Sequence, residues 1–301
     1  MAKIMINVLP SIIAPTAYRA RSILERAWDS DFDTGVIGNA CALSRDRDQN
    51  ARNYGISERE VRNWEYIAWF APSTNSAPVV FWLLSFIFAN PKLLTEIRTE
   101  ISNVVTSSTV DGVKRIVLDV TRVQNGCPLL YAAWEETLRL AAPTVSVRMV
   151  TEDTILADKY LLKKGATVQM PSAVNNLSSA IWGPRPEEFD HRRMLKSTVD
   201  ALTKEQQKLR SQAYWSWGGG KWKCPGQKFA IAELLPFTAS VLLAFDVGMK
   251  NGDTIKVPKE VLRVLTKNVD LPAKDFDVVI KRRKEFKDVK LSYVLPDGTE
   301  L

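Results

Sequence analysis

One cysteine in this 301-residue chain stands where a thiolate would be stable. Cys224 lies in the run Trp217-Gly218-Gly219-Gly220-Lys221-Trp222-Lys223-Cys224-Pro225-Gly226. Glycines at 218–220 open backbone conformations closed to other residues and leave room for a flat ligand to approach the main chain. Pro225 suits a first helical turn, where its missing N–H would be unpaired anyway. Beyond it, Phe229, Ile231, Leu234, Leu235, Phe237, Val241 and Leu242 recur at helical spacing. The positive end of that helix, its unpaired amides, and Lys221 and Lys223 all favour the anion, which can bind a metal. Other readings compete. A phosphate loop fails because its first glycine would fall on Trp215 and Trp222 replaces the magnesium-binding hydroxyl. Structural zinc is poorly served by one histidine and three cysteines, with Cys41 and Cys127 far away. A small buried cysteine in a turn stays open.

The run from Trp217 to Gly226 resembles the haem-binding loop of the cytochrome P450 family: an aromatic residue, then glycines and a cysteine at that family's spacing. The resemblance implies haem b as cofactor, with Cys224 as the axial thiolate whose electron donation favours O–O cleavage. It also implies that Trp217, Gly218, Gly220, Lys221, Lys223 and Gly226 line the cofactor. One position departs: many members carry Arg or His two before the cysteine for a haem propionate, and here it is Trp222. Lys221 and Lys223 are the compensating charges to expect.

Further elements stand in the family's order. Pro128 to Leu140 is rich in helix formers. Glu136 and Arg139 share a helix face, which on its own predicts an ordinary solvated ion pair. The resemblance makes them the Glu-x-x-Arg of the K helix, partnered by Arg193 in Phe189-Asp190-His191-Arg192-Arg193, tying the helix to the meander before the loop. Alternation at Val145 and Val147 predicts a strand carrying Arg148. Alone, Arg148 reads as an exposed strand arginine; the resemblance makes it a propionate ligand. His191, the only histidine, reads as solvated.

Ser57-Glu58-Arg59-Glu60 is a capping box, so a helix is expected from there to Phe88, stopped by Asn90-Pro91. Pro72 and Pro78 fall inside it, each removing a backbone donor and giving either a ligand-admitting opening or a kink. The stretch from Trp69 to Leu84 resembles the distal I helix of the branch containing oxysterol 7α-hydroxylase, sterol 12α-hydroxylase and prostacyclin synthase. It implies catalytic positions at Asn75, in the place of the usual acid, and Ser76, in the place of the threonine. Ser76 keeps a hydroxyl that can donate towards dioxygen, whereas Asn75 cannot ionise.

Composition fits a globular domain, with 46% apolar and 25% charged residues. A net charge of +7, spread without a basic stripe bearing interleaved aromatics, excludes a nucleic-acid binder. Lys221, Lys223 and Lys228 form a basic patch that could receive an acidic electron-transfer partner. Cysteine usage predicts no disulfide framework and a reducing compartment. Met1 to Pro10 is too short for a secretory signal. Val79 to Ala89 is shorter than a bilayer span, and Glu233 and Pro236 interrupt the apolar run from Phe229 to Met249.

The expected architecture is mainly α with small β-sheets (α+β), the C-terminal portion of a P450-like fold. Residues 1–301 read as one partial domain entering near the F–G region, without repeat or linker. Helix is expected from about Pro10 to Trp28, loop with short helical pieces from Asp29 to Ile56, and helix after helix to Leu140. Short strands follow between Val145 and Met170 with a turn at Lys164-Gly165, then a polar meander from Leu195 to Trp217. Strands are expected again after Phe245, at Val278 to Ile280 and Leu291 to Leu295. The resemblance implies a haem-thiolate monooxygenase oxidising a lipophilic substrate (a sterol, terpenoid or other secondary metabolite) with dioxygen and an NADPH-dependent reductase. The alternatives are a noncatalytic truncated remnant and an isomerase that uses no dioxygen. Full-length relatives imply the endoplasmic reticulum membrane, reached through the N-terminal part absent here; without an anchor the chain itself is expected in the cytoplasm.

Overall fold

A computed structural model describes residues 10–34, 36–259, 269–275 and 277–300. The first nine residues, where a secretory signal was excluded on length, lie outside them. Contacts divide the chain into two units, with the boundary between Ala77 and Pro78. That boundary falls inside a continuous helix rather than at a linker.

The first unit is helical. α1 (Pro15–Asp33) follows a single turn at Pro10–Ile13, and α2 (Ala42–Asn53) leads to α3 (Glu58–Phe88). The expected loop at 29–56 is thus corrected: α1 continues to Asp33 and α2 is a full helix. Ser57 starts α3 as its capping box predicts, donating its N–H to Glu60 Oε2 at 3.2 Å. Ion pairs hold this unit together. Arg62 in α3 reaches Asp33 at 2.6 Å and Glu58 at 2.8 Å, while Arg47 of α2 meets the buried Glu65 at 2.7 Å.

Apolar burial builds the second unit. From Val79, α3 turns Val79, Val80, Trp82, Leu83, Ile87 and Phe88 inward. Asn90 caps α4 (Pro91–Val104) by accepting from the Leu93 N–H at 3.1 Å. Leu93, Ile97 and Ile101 then recur every fourth residue and are fully buried. Each contributes about 1.5–3 kcal/mol. The exposed Lys92–Glu96 pair on the same helix contributes about 0–1 kcal/mol, so the apolar face holds α4 in place.

β1 (Thr106–Val110) and β2 (Val113–Asp119) follow as an antiparallel hairpin where helix was expected. Asp111 and Gly112 turn it with φ of 51° and 73°, the geometry of a tight hairpin turn. β2 also pairs in parallel with β9 (Val289–Val294), bringing the end of the chain beside its middle. α5 (Val120–Gly126) and α6 (Pro128–Ala141) come next, then β3 (Val145–Met149) paired antiparallel with β6 (Thr167–Pro171), and the small β4–β5 hairpin (Thr154–Leu156 with Tyr160–Leu162). Between Leu195 and Trp217 the expected meander contains a helical turn at Lys196–Asp200 and α7 (Lys204–Ala213), which Thr203 and Gln206 cap reciprocally. α8 (Gln227–Ala244) crosses the core and passes through Pro236 without ending. β7 (Phe245–Met249) and β8 (Val278–Arg282) pair antiparallel.

By length and composition α3 and α8 are long and apolar enough to cross a bilayer. In α8, 56% of the most apolar window is already packed inside the protein, as in any core helix.

Candidate functional site

α6 presents one wall of the site, and it is anchored at both ends. Its N-terminal amides are capped from a distance: Glu100 of α4 accepts from the Leu129 N–H at 2.9 and 3.0 Å and from Leu130 at 3.3 Å. Burial raises the Glu100 carboxyl above its ordinary pKa, and those amides oppose the shift. No local pattern in the sequence marks this contact across 29 residues.

Further along α6, Glu136 and Arg139 are both fully buried rather than solvated. The arginine forks onto the carboxylate at 2.8 Å through Nε and 2.7 Å through Nη2. Arg193 joins at 2.8 Å from Nη1, and the Asp190 N–H donates to the same oxygen at 3.1 Å. Arg193 also donates to the carbonyls of Trp182, Pro184, Arg185 and Glu188, while Arg139 donates to the Asn176 carbonyl. One carboxylate therefore fixes α6 to the segment running from Asn176 to Arg193. His191, expected in solvent, is only 8% exposed. It sits 6.4 Å from the Phe189 ring, which stacks on Phe86, and burial lowers its pKa.

The cysteine loop closes on itself. Gly218 N–H donates to Trp215 O at 2.8 Å and Cys224 N–H to Trp217 O at 2.7 Å. Gly218 has φ +71°, and a Cβ there would lie 2.8 Å from the Trp222 carbonyl oxygen, so the turn requires glycine. Around Gly219 and Gly220 a Cβ would meet nothing within 4 Å, leaving the main chain approachable. Trp217 leans on Trp134 of α6 with ring centroids 6.3 Å apart, and this contact seats the loop on the helix. The helical hydrogen bonds begin only at Gln227, so Cys224 and Pro225 occupy the turn before α8 rather than its first turn. The Cys224 side chain is exposed, and Gly226 keeps its surroundings open.

β3 brings Arg148 to this loop. Its register against β6 pairs Arg148 with Val168, and its guanidinium carbon lies 5.6 Å from the centroid of the Trp222 ring. Lys221 Nζ lies 5.4 Å from the same ring. Among the described residues, Arg148, Lys221 and Lys223 make no ion pair with a carboxylate. Asn75 and Ser76 belong to the first unit; the Asn75 amide donates back to the Ala71 carbonyl of its own helix at 2.8 Å, and Ser76 is half-buried. The structure thus gathers Cys224, Trp217, Gly218, Gly220, Lys221, Trp222 and Arg148, and separately Glu136, Arg139 and Arg193. Chemically, the first group offers one sulfur donor, an open main chain and unpaired cations.

Comparison with known proteins gives the family. The cytochrome P450 family profile matches residues 21–272. The cytochrome P450 monooxygenase nodJ of Hypoxylon pulicicidum is 31% identical over 99% of this chain and 58% of its own length. A sterol hydroxylase of Sus scrofa, 5-beta-cholestane-3-alpha,7-alpha-diol 12-alpha-hydroxylase, is 25% identical over 68% of this chain and 42% of its own. Prostacyclin synthase of Rattus norvegicus is 26% identical over 80% of this chain and 49% of its own. A crystal structure of a cytochrome P450, CYP102L1, superposes with a TM-score of 0.58 at 20% identity, covering 74% of this chain and 45% of that one. The chain spans about half the length of these relatives, 42% to 58%. Family profile, relatives and fold converge, and the chain belongs to the cytochrome P450 family.

Proposed function

We propose that this chain carries the haem-thiolate centre of a monooxygenase that oxidises a lipophilic substrate, such as a sterol, terpenoid or other secondary metabolite. Dioxygen and electrons from an NADPH-dependent reductase complete the reaction. The observation that carries this reading is Cys224, exposed on an approachable glycine loop whose neighbouring cations lack carboxylate partners.

The residues fit haem b. A bare ion needs several protein donors, and among the described residues no group of three or more His, Cys, Asp or Glu is placed to hold one. A metal carried by its own ring needs only an axial ligand, which Cys224 supplies. The exposed Trp222 ring offers apolar surface beside Arg148 and Lys221, suited to a flat apolar ring that bears carboxylates. Bound there, thiolate-ligated haem would supply oxygen activation.

The chain's own residues divide the remaining work. Cys224 donates its sulfur, and the small Gly226 leaves that sulfur clear. Arg148 and the two lysines bind carboxylates. Glu136, Arg139 and Arg193 keep α6 and the preceding segment at fixed separation, so the loop is held from its base. Ser76 is assigned by resemblance to donate a hydrogen bond on the oxygen side, while Asn75 cannot ionise. Lys221, Lys223 and Lys228 are assigned to the acidic face of an electron-transfer partner.

A second reading, a haem-thiolate isomerase, is favoured by one observation: the similarity to prostacyclin synthase over 80% of this chain. Turnover of a sterol and terpenoid panel separates the two. The monooxygenase reading expects product only with reductase, NADPH and dioxygen; rearrangement of a peroxide substrate without them would support the isomerase instead.

A further inference from the structure

The structure brings two cations to the ring of Trp222. Arg148 arrives from β3, 74 residues earlier in the chain, and Lys221 from the adjacent position. The indole is 63% exposed, so it is not there to fill a core. Apart from this ring, Arg148 makes one hydrogen bond, to the carbonyl of Val147 beside it. A long exposed guanidinium normally loses rotamer freedom when it binds an anion, and a stacking partner removes part of that loss beforehand.

We infer that Trp222 is a positioning residue: its indole holds Arg148 and Lys221 at the rim of the cysteine loop, where together they receive a haem carboxylate. Cation–π attraction holds both side chains near the ring. Trp222 itself touches no reacting atom. The inference rests on the haem-thiolate reading and adds to it the route by which the cofactor's carboxylates are held.

The test measures haem release into excess apomyoglobin from protein loaded with iron protoporphyrin IX, and from protein loaded with its dimethyl ester, which lacks the carboxylate charge. Trp222→Ala is expected to release iron protoporphyrin IX roughly two- to fivefold faster than the unsubstituted chain. Trp222→Tyr, which keeps a ring, and Trp222→Arg, which supplies the charge directly, are expected to stay near the original rate. Added to Arg148→Ala, the alanine at 222 should raise the rate by less than it does alone, because the Arg148 contact is already lost and only the hold on Lys221 remains to lose. With the dimethyl ester, Trp222→Ala and the unsubstituted chain should match. Equal release of iron protoporphyrin IX from both, multiplying effects in the double variant, or a difference that persists with the ester would each overturn the inference. Failure of the unsubstituted chain to take up haem would sink the haem-thiolate reading as well; normal uptake with an unaffected Trp222→Ala would sink this inference alone.

Discussion

Two Cys-Pro pairs precede core helices in this chain, Cys127-Pro128 before α6 and Cys224-Pro225 before α8, and their surroundings give them opposite chemistry. Cys127 has no exposure, and burial pushes its thiol up to about 12, helped by the nearby Glu100 charge. Cys224 is exposed. The glycines on the N-terminal side explain the difference. Gly126 lets backbone approach a neighbour: a Cβ there would lie 2.6 Å from Val104 Cγ1. Gly219 and Gly220 face open space. A cysteine at a helix start is therefore not by itself a ligand, since the segment before it decides between packing and access.

The largest effect expected from probing this contrast lies on the buried side. Glu136→Ala would leave Arg139 buried without its carboxylate and should destabilise the protein by about 3–5 kcal/mol in urea unfolding. A loss below about 1 kcal/mol would mean that the network does not anchor α6. Next come the cysteines themselves. Cys127→Ser places a hydroxyl in an apolar site and should cost about 1–3 kcal/mol, whereas Cys224→Ser should stay within about 0.5 kcal/mol. Equal costs would erase the distinction. Thiol labelling of the haem-free protein should modify Cys224 readily and Cys127 only as the chain unfolds; prompt labelling of both would contradict the burial.

The smallest effect concerns pH. Burial is the main cause of the lowered His191 pKa, with Arg192 assisting and the charges of Asp190, Glu96 and Glu136 opposing. The unfolded chain therefore takes up a proton below its ordinary value of 6.5 that the folded chain resists. Stability is retained above that value and lost as pH falls from it through the folded value. His191→Phe should flatten this acid-side loss in melts between about pH 5 and 7.5, and an unchanged slope would show that His191 does not titrate differently on folding.

Local signals read well from sequence, and distant ones did not. α6, α8 and β3 announced themselves through caps, prolines and apolar period, as did β8, β9 and the turn at Gly165. The polar helices α2 and α7 lack an apolar stripe, although Thr203-x-x-Gln206 was a usable start signal for α7. The β1–β2 hairpin carries exposed Thr and Ser on β1, and its Asp111-Gly112 turn was the cue that mattered. Burial of His191 and the Glu100 cap depend on elements far away in sequence. The same is true of the site: spacing marked Cys224 as a candidate thiolate, whereas Glu136, Arg139, Arg193 and Arg148 were singled out by the family resemblance, and the contact of Arg148 with Trp222 had no signal in the sequence.

We propose that Cys224, not its counterpart Cys127, holds haem iron. Reduced, carbon monoxide-treated protein reconstituted with iron protoporphyrin IX tests it through the position of the Soret band. The unsubstituted chain and Cys127→Ala should both show the band shifted to the thiolate position, and Cys224→Ala should not. A thiolate-shifted band that survives in Cys224→Ala would show that another group holds the iron.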